Sequence, residues 1–272
     1  MQKQAVEKGL LVVSFGTTFE ETRKVTIDAI EAQLSERFPD RKLYRGWTSR
    51  MIIRRLRERG ISFDTLEEAM DRMHADGIRD ILVQPTHIVS GAENDRMLQV
   101  LQEHAQDFRS VLVGRPLLDT ADDRRELAEI LVEELLPAKQ AEVKDWLVLM
   151  GHGSSNKPEV NRIYPLMEQA FRENGRENVL VGTVEGEPRI EDVLGKLGSP
   201  ESPAQTVYLA PMMIVAGDHA RNDMAGDDGD SWKSLIESAG FSVKALIQGL
   251  GEYPSVREMF CRHASEAEPL KG

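Results

Sequence analysis

The chain has 272 residues, 40% hydrophobic and 29% charged, and its 46 Asp+Glu against 34 Lys+Arg leave a formal net charge of −12. A chain of this length buries about three quarters of its unfolded surface, needs no disulfide or structural metal to fold, and suits two modest domains or one large one. The acidic balance argues against a nucleic-acid partner, and the single Cys261 excludes an internal disulfide and every multi-cysteine metal site.

In chain order, the run LLVVSF at 10–15 reads as a buried strand, followed by a helix through Val25, Ile30 and Leu34. A second strand is expected at 43–47, then helices over 51–59 and 66–75, the latter opened by Thr65 and Glu68 at the spacing that satisfies free amides at a helix start. Strands at 81–83 and 111–113 and a helix over 122–136 complete this half. Such alternation predicts a parallel sheet covered by helices on both faces. No run of about 18 apolar residues is present, so neither a transmembrane helix nor a membrane partner is expected. MQKQAVEKG lacks the apolar core of a secretory signal, and the cytoplasm is the expected location. A periplasmic protein whose leader has been removed reads the same way.

The same order then starts again. The strand WLVLM at 146–150 leads into GHGSS, echoing SFGTT after the first strand. ILVQPTHIVSG at 81–91 stands beside YLAPMMIVAG at 208–217, with Pro85 matching Pro211, Ile88-Val89 matching Ile214-Val215, and Gly91 matching Gly217. Duplication predicts two similar α/β domains, 1–137 and 138–272, joined by a polar linker at 137–144. The second ends in a helix near 256–267, after which the last residues are expected to fray.

In open α/β sheets, ligands bind beyond the carboxyl ends of the strands. Three loops there carry chemistry: His152 in GHGSS, Glu185 after the strand at 179–184, and His219 in AGDHARNDM. Two imidazoles and a carboxylate suit a borderline divalent ion and leave positions open for a substrate. Taken singly, each residue reads better as a cap or a hydrogen-bonding group; their joint placement favours a metal. In the repeat they correspond to Phe15, a position near Ser49, and Glu93, so the first half keeps the frame without the ligands. His74, His104 and His263 read as solvated helix-surface residues, and His87 as a structural residue at the end of the third strand. Asp223, Asp227, Asp228 and Asp230 do not fit an EF-hand loop and read as turn and cap residues supporting the His219 loop.

Arg45, Arg50, Arg54 and Arg55 cluster after the second strand, where guanidinium groups suit carboxylates. Arg50, at the start of the helix, is the strongest of them. Ser14, Thr17 and Thr18 offer neutral hydrogen bonds from the first loop. GxGxxG, GxxxxGK[ST] and GxSxG are all absent, leaving dinucleotide, P-loop and acyl-hydrolase readings without a motif.

LLVVSFGTT, TSRMIIRRLRERG, MGHGSS, VGTVEGEP, PMMIVAGDHARNDMAGDDGDSWK and GLGEYPSVREMF together resemble the anaerobic cobalt chelatases of cobalamin biosynthesis, along nearly the whole chain. The resemblance implies a chelatase-type fold with an active cleft between two similar domains. It also implies insertion of cobalt(II) into sirohydrochlorin with loss of two pyrrole protons. By motif, the family's metal ligands fall on His152, Glu185 and His219, which also serve as the catalytic groups. His152 is the preferred proton acceptor and His219 the alternative. Ser14, Thr17, Arg50 and Glu93 are the expected substrate-binding residues. Cobalt(II) is the expected substrate metal, with iron(II) and siroheme formation as the alternative, and no organic cofactor is expected. A non-catalytic tetrapyrrole or metal carrier, a metal-assisted hydrolase and a homo-oligomer stay open.

Overall fold

Apolar runs bounded by polar turns become strands whose two faces are both covered by helices. The computed structural model describes residues 7–136, 145–201 and 205–271, so the expected linker at 137–144 lies outside the described residues. The chain forms two compact units: residues 1–119 with 254–272, and residues 120–253.

In the first unit, β1 (Lys8–Ser14), β2 (Lys42–Trp47), β3 (Asp80–Pro85) and β4 (Ser110–Val113) run parallel in the order β2-β1-β3-β4. Helices α1 (Glu20–Val25), α2 (Ile27–Arg37), α3 (Arg50–Arg57), α4 (Leu66–Ala75) and α5 (Ala92–His104) connect them. On one face, Leu11, Val13, Ile81 and Val83 pack against Met70 and Met73 of α4 and Met97 and Leu101 of α5. The capping box expected at Thr65 and Glu68 opens α4.

In the second unit, β5 (Trp146–Gly151), β6 (Val179–Thr183), β7 (Thr206–Pro211) and β8 (Ser242–Ala245) are parallel in the order β6-β5-β7-β8. This matches the first unit strand for strand. Helices α6 (Ala121–Leu135), α7 (Ile163–Glu173), α8 (Ile190–Leu197) and α9 (Trp232–Ser238) accompany them. The duplication extends to register: Val13 lies opposite Gly46 and Pro85, and Met150 opposite Gly182 and Pro211. It also extends to single hydrogen bonds beyond the strand ends. Ser49 N donates to Phe15 O at 3.3 Å as Glu185 N does to His152 O at 2.8 Å, and Thr86 N donates to Val13 O as Met212 N does to Met150 O, both at 2.8 Å.

Several expectations change. The division at 137/138 moves, because each repeat's last helix belongs to the other unit. Helix α6 packs on α7, and α10 (Pro254–Ser265) packs on α2 and β3. On α10, His263 is fully buried rather than solvated, and burial pushes the Cys261 thiol up to about 11, keeping it protonated. The segment after α10 forms β9 (Glu268–Pro269), antiparallel to β4, where fraying was expected. The first expected helix is two, broken at Thr26, whose hydroxyl donates to Thr22 O at 2.6 Å and competes with the helical ladder. Among the described residues, no helix is long and apolar enough to cross a membrane.

Candidate metal centre

With strand order 2-1-3-4, the sheet changes direction between its first and third strands, and ligands favour that switch point. In the second unit, these strands are β5 and β7. His152 is the first residue after β5. The next residue, Gly153, has φ +75°, and a Cβ there would lie 2.7 Å from both Gly186 N and the Thr183 Cβ. Only glycine lets the two loops approach this closely. Gly153 N donates to Tyr164 Oη at 2.9 Å, and burial raises the Tyr164 phenol so that it stays neutral. Asn161 bonds both the N–H and the carbonyl of Ser154, each at 2.9 Å. These two residues, one in the turn before α7 and one in its first turn, shape the GHG loop; their sequence spacing carried no signal of that duty.

Glu185 leaves β6 on a turn held by Gly186 N donating to Thr183 Oγ1 at 3.1 Å. His219 follows β7 and precedes a single π-helical turn, Ala220–Met224. The three side chains meet, each offering one donor atom within 4.8 Å of the others. The imidazoles stand edge to face with centroids 4.9 Å apart, and Glu185 Oε2 lies 4.0 Å from His152 Nδ1. The His152, Glu185 and His219 side chains are 49%, 51% and 33% exposed, so the cluster opens to solvent. His152 Nδ1 lies 2.9 Å from Gly153 O, which can only accept, so Nδ1 carries the hydrogen and Nε2 keeps its lone pair. Three donors with an open side can hold a divalent ion and present it to a second ligand. Asp227, Asp228 and Asp230 are exposed nearby, with Asp227 paired to Lys233 at 3.1 Å.

The equivalent edge of the first unit is built differently. Ser14 and Thr17 are buried: Ser14 Oγ accepts from Thr86 Oγ1 at 2.9 Å, and Thr17 Oγ1 accepts from Phe19 N at 3.2 Å. Both hydroxyl oxygens thus accept a bond from within this unit. Arg45 is likewise committed inward, to Asp28 and Glu31. Arg50 opens α3 with its side chain 72% exposed and one bond to Glu67 at 3.0 Å, so most of its guanidinium stays available. Glu93 is half-buried, and its Oε2 is closed off from solvent with no hydrogen-bond partner.

His87 stands beside it in sequence and environment. It is half-buried with both ring nitrogens shut off from solvent, and desolvation holds it below the ordinary 6.5 against the opposing effects of Asn94 and the Glu93 charge. The folded protein thus keeps His87 neutral where the unfolded chain takes up a proton. Its contribution to stability is whole above about 6.5 and is lost progressively as pH falls from there through the lowered folded-state pKa, by about 1.4 kcal/mol per pKa unit of depression. His87→Gln therefore loses less stability than the parent between pH 7.5 and 5, read as urea midpoints. Parallel losses in the two proteins would refute this.

Two doubly wound units of one topology, with an open His2Glu donor set at the carboxyl edge of one, define an α/β protein with a donor set that could hold a divalent ion. The family model described as Cobalt chelatase (CbiK) matches residues 8–268. The chain is 38% identical over 263 residues to the sirohydrochlorin cobaltochelatase of Salmonella typhimurium, covering 96% of this chain and 97% of that one. It is 28% identical to the sirohydrochlorin cobaltochelatase CbiKC of Nitratidesulfovibrio vulgaris, covering 96% and 90%. Among solved structures, SirB from Bacillus subtilis with Fe3+ shares the fold at TM-score 0.66 and 13% identity, covering 96% and 95% of the two chains. The protein belongs to the CbiK cobalt chelatase family.

Proposed function

We propose that this protein inserts cobalt(II) into sirohydrochlorin, exchanging two pyrrole protons for the metal. The observation that carries the reading is the convergence of His152, Glu185 and His219, from three separate loops, onto one solvent-open point. The names of the relatives above supply the substrate. Cobalt is the substrate metal, which the two imidazoles and one carboxylate oxygen would hold. As the two ring nitrogens that carry hydrogen bond cobalt, each N–H bond breaks and a protein base takes the proton. An imidazole that has let go of the metal can accept the first, and the Glu185 carboxylate the second. One Co2+ enters and two H+ leave, so the macrocycle gains no net charge. A biosynthetic role of this kind goes with a cytoplasmic location.

Arg50 and Glu93 are the substrate-side groups in this reading. The exposed guanidinium suits a peripheral carboxylate of the ring, and the Glu93 carboxylate suits a pyrrole N–H. Arg50→Ala then raises the apparent KM for sirohydrochlorin roughly five-fold, the loss of about 1 kcal/mol expected of a solvated ion pair, with little change in kcat. An unchanged KM removes Arg50 from the site.

The whole reading is tested by mixing the metal-free protein with sirohydrochlorin and cobalt(II), iron(II) or both, and following the absorption change of metal insertion. Acceleration with cobalt supports it; a rate equal to the protein-free mixture overturns it. Competition is required because N/O donors of this kind do not separate iron from cobalt by affinity alone.

A further inference from the structure

The two imidazoles of the metal centre are not held alike. His152 Nδ1 faces a neutral backbone carbonyl, Gly153 O, at 2.9 Å. His219 Nδ1 faces a carboxylate oxygen, Asp223 Oδ2, at 2.8 Å. The carboxylate is placed by the π-helical turn Ala220–Met224, which stacks residues 219 and 223 on one side. One position earlier, a parallel bond from Asn222 Nδ2 to Asp218 Oδ1 at 3.0 Å braces the same turn. The turn closes with Gly226 N donating to Asn222 O at 3.0 Å, where a Cβ on Gly226 would lie 2.4 Å from that oxygen.

We infer that Asp223 is a positioning residue that makes His219 the anchoring cobalt ligand and leaves His152 as the ligand that is released. The inference rests on the reading above and deepens it. A carboxylate on Nδ1–H fixes the tautomer, aims Nε2 at the ion and raises the basicity of that nitrogen; a carbonyl does the first two but adds less charge. The His219–cobalt bond is therefore the stronger. When ring nitrogens compete for the metal, the His152 bond breaks first, and its Nε2 lone pair is freed to take a pyrrole proton. The Asp223 carboxylate touches neither metal nor ring and exchanges no atom in this sequence. Asp223 also accounts for an acidic residue in AGDHARNDM that the donor set leaves unused.

Titration of the metal-free protein with cobalt(II), read by the visible absorption of the bound ion, needs no turnover. The expected result for Asp223→Asn, which keeps the shape and an acceptor but loses the charge, is cobalt binding weakened about 10- to 100-fold. Asp223→Ala is weakened at least as much, and Asp223→Glu recovers part of the affinity. In insertion assays the KM for cobalt rises in step, and kcat at saturating cobalt falls because the two imidazoles are no longer held unequally. A purely structural role would move the thermal midpoint instead, and the isosteric Asn variant carries the test if the Ala variant unfolds. Parent-like cobalt affinity and spectrum in folded Asp223→Asn and Asp223→Ala overturn the inference alone. A parent protein that binds cobalt but never inserts it overturns the proposed function alone.

Discussion

His152→Ala and His219→Ala each lower cobalt insertion into sirohydrochlorin by at least about 100-fold while leaving the protein folded. The fold is expected to survive because the His152 side chain is half exposed and the His219 side chain a third exposed, and neither belongs to the core of the second unit. Truncating such groups typically changes stability by about 0.5 kcal/mol. The chemical loss is larger. Removing one imidazole leaves two donors, and a single lost ligand bond of about 3 kcal/mol already corresponds to a factor above 100. His152→Ala also removes the imidazole assigned to proton transfer, so its kcat falls further than its cobalt affinity. For His219→Ala, the loss of affinity dominates. Single-turnover insertion at saturating cobalt, beside a metal-binding titration, separates the two. Turnover near the parent's in both well-folded variants ends the site assignment.

The cluster of His152, Glu185 and His219 was legible because its residues lie in loops that leave strands at one edge of a sheet. A strand that ends at Gly151 must release its next residue at the carboxyl edge of the sheet, while Glu185 and His219 lie farther along the loops that leave β6 and β7 at that same edge. The repeat was legible for the same reason: Pro85 and Pro211 end equivalent strands in equivalent register. Other features depend on distant partners that leave no local pattern. Whether α6 covers the first sheet or the second depends on its fit to α7, and its own amphipathic face is the same in either case. His263 lies in a helical pattern that reads as solvated until α2 and β3 are laid against α10. Ser14 and Thr17 sit in the right loop, yet their hydroxyls turn to Thr86 and to the backbone of Phe19. Strand β8, SVKA, is short and carries a lysine, so its four residues are a weaker signal than the apolar runs at 10–15 and 146–150.

Gly153→Ala is expected to lower stability by about 2–5 kcal/mol and to abolish tight cobalt binding, although residue 153 is not a proposed ligand. Two penalties add. A left-handed backbone (φ +75°) costs an L-residue about 1–2 kcal/mol. The new methyl, 2.7 Å from Gly186 N and the Thr183 Cβ, forces an overpacking shift of about 1–3 kcal/mol. Neither neighbour is a flexible chain end, because Gly186 N is backbone and Thr183 ends β6 within the sheet. Relief has to come from parting the GHG loop from the loop that carries Glu185. That movement stretches the Glu185 N to His152 O bond of 2.8 Å and draws two of the three metal donors apart. Gly175 provides the control: its φ is +73°, but nothing lies within 4 Å of its absent Cβ. Gly175→Ala therefore suffers the backbone penalty alone and keeps the parent's cobalt affinity. Equal cobalt affinity in the two alanine variants, at equal thermal midpoints, would show that the two loops do not depend on close glycine contact to bring His152 and Glu185 together.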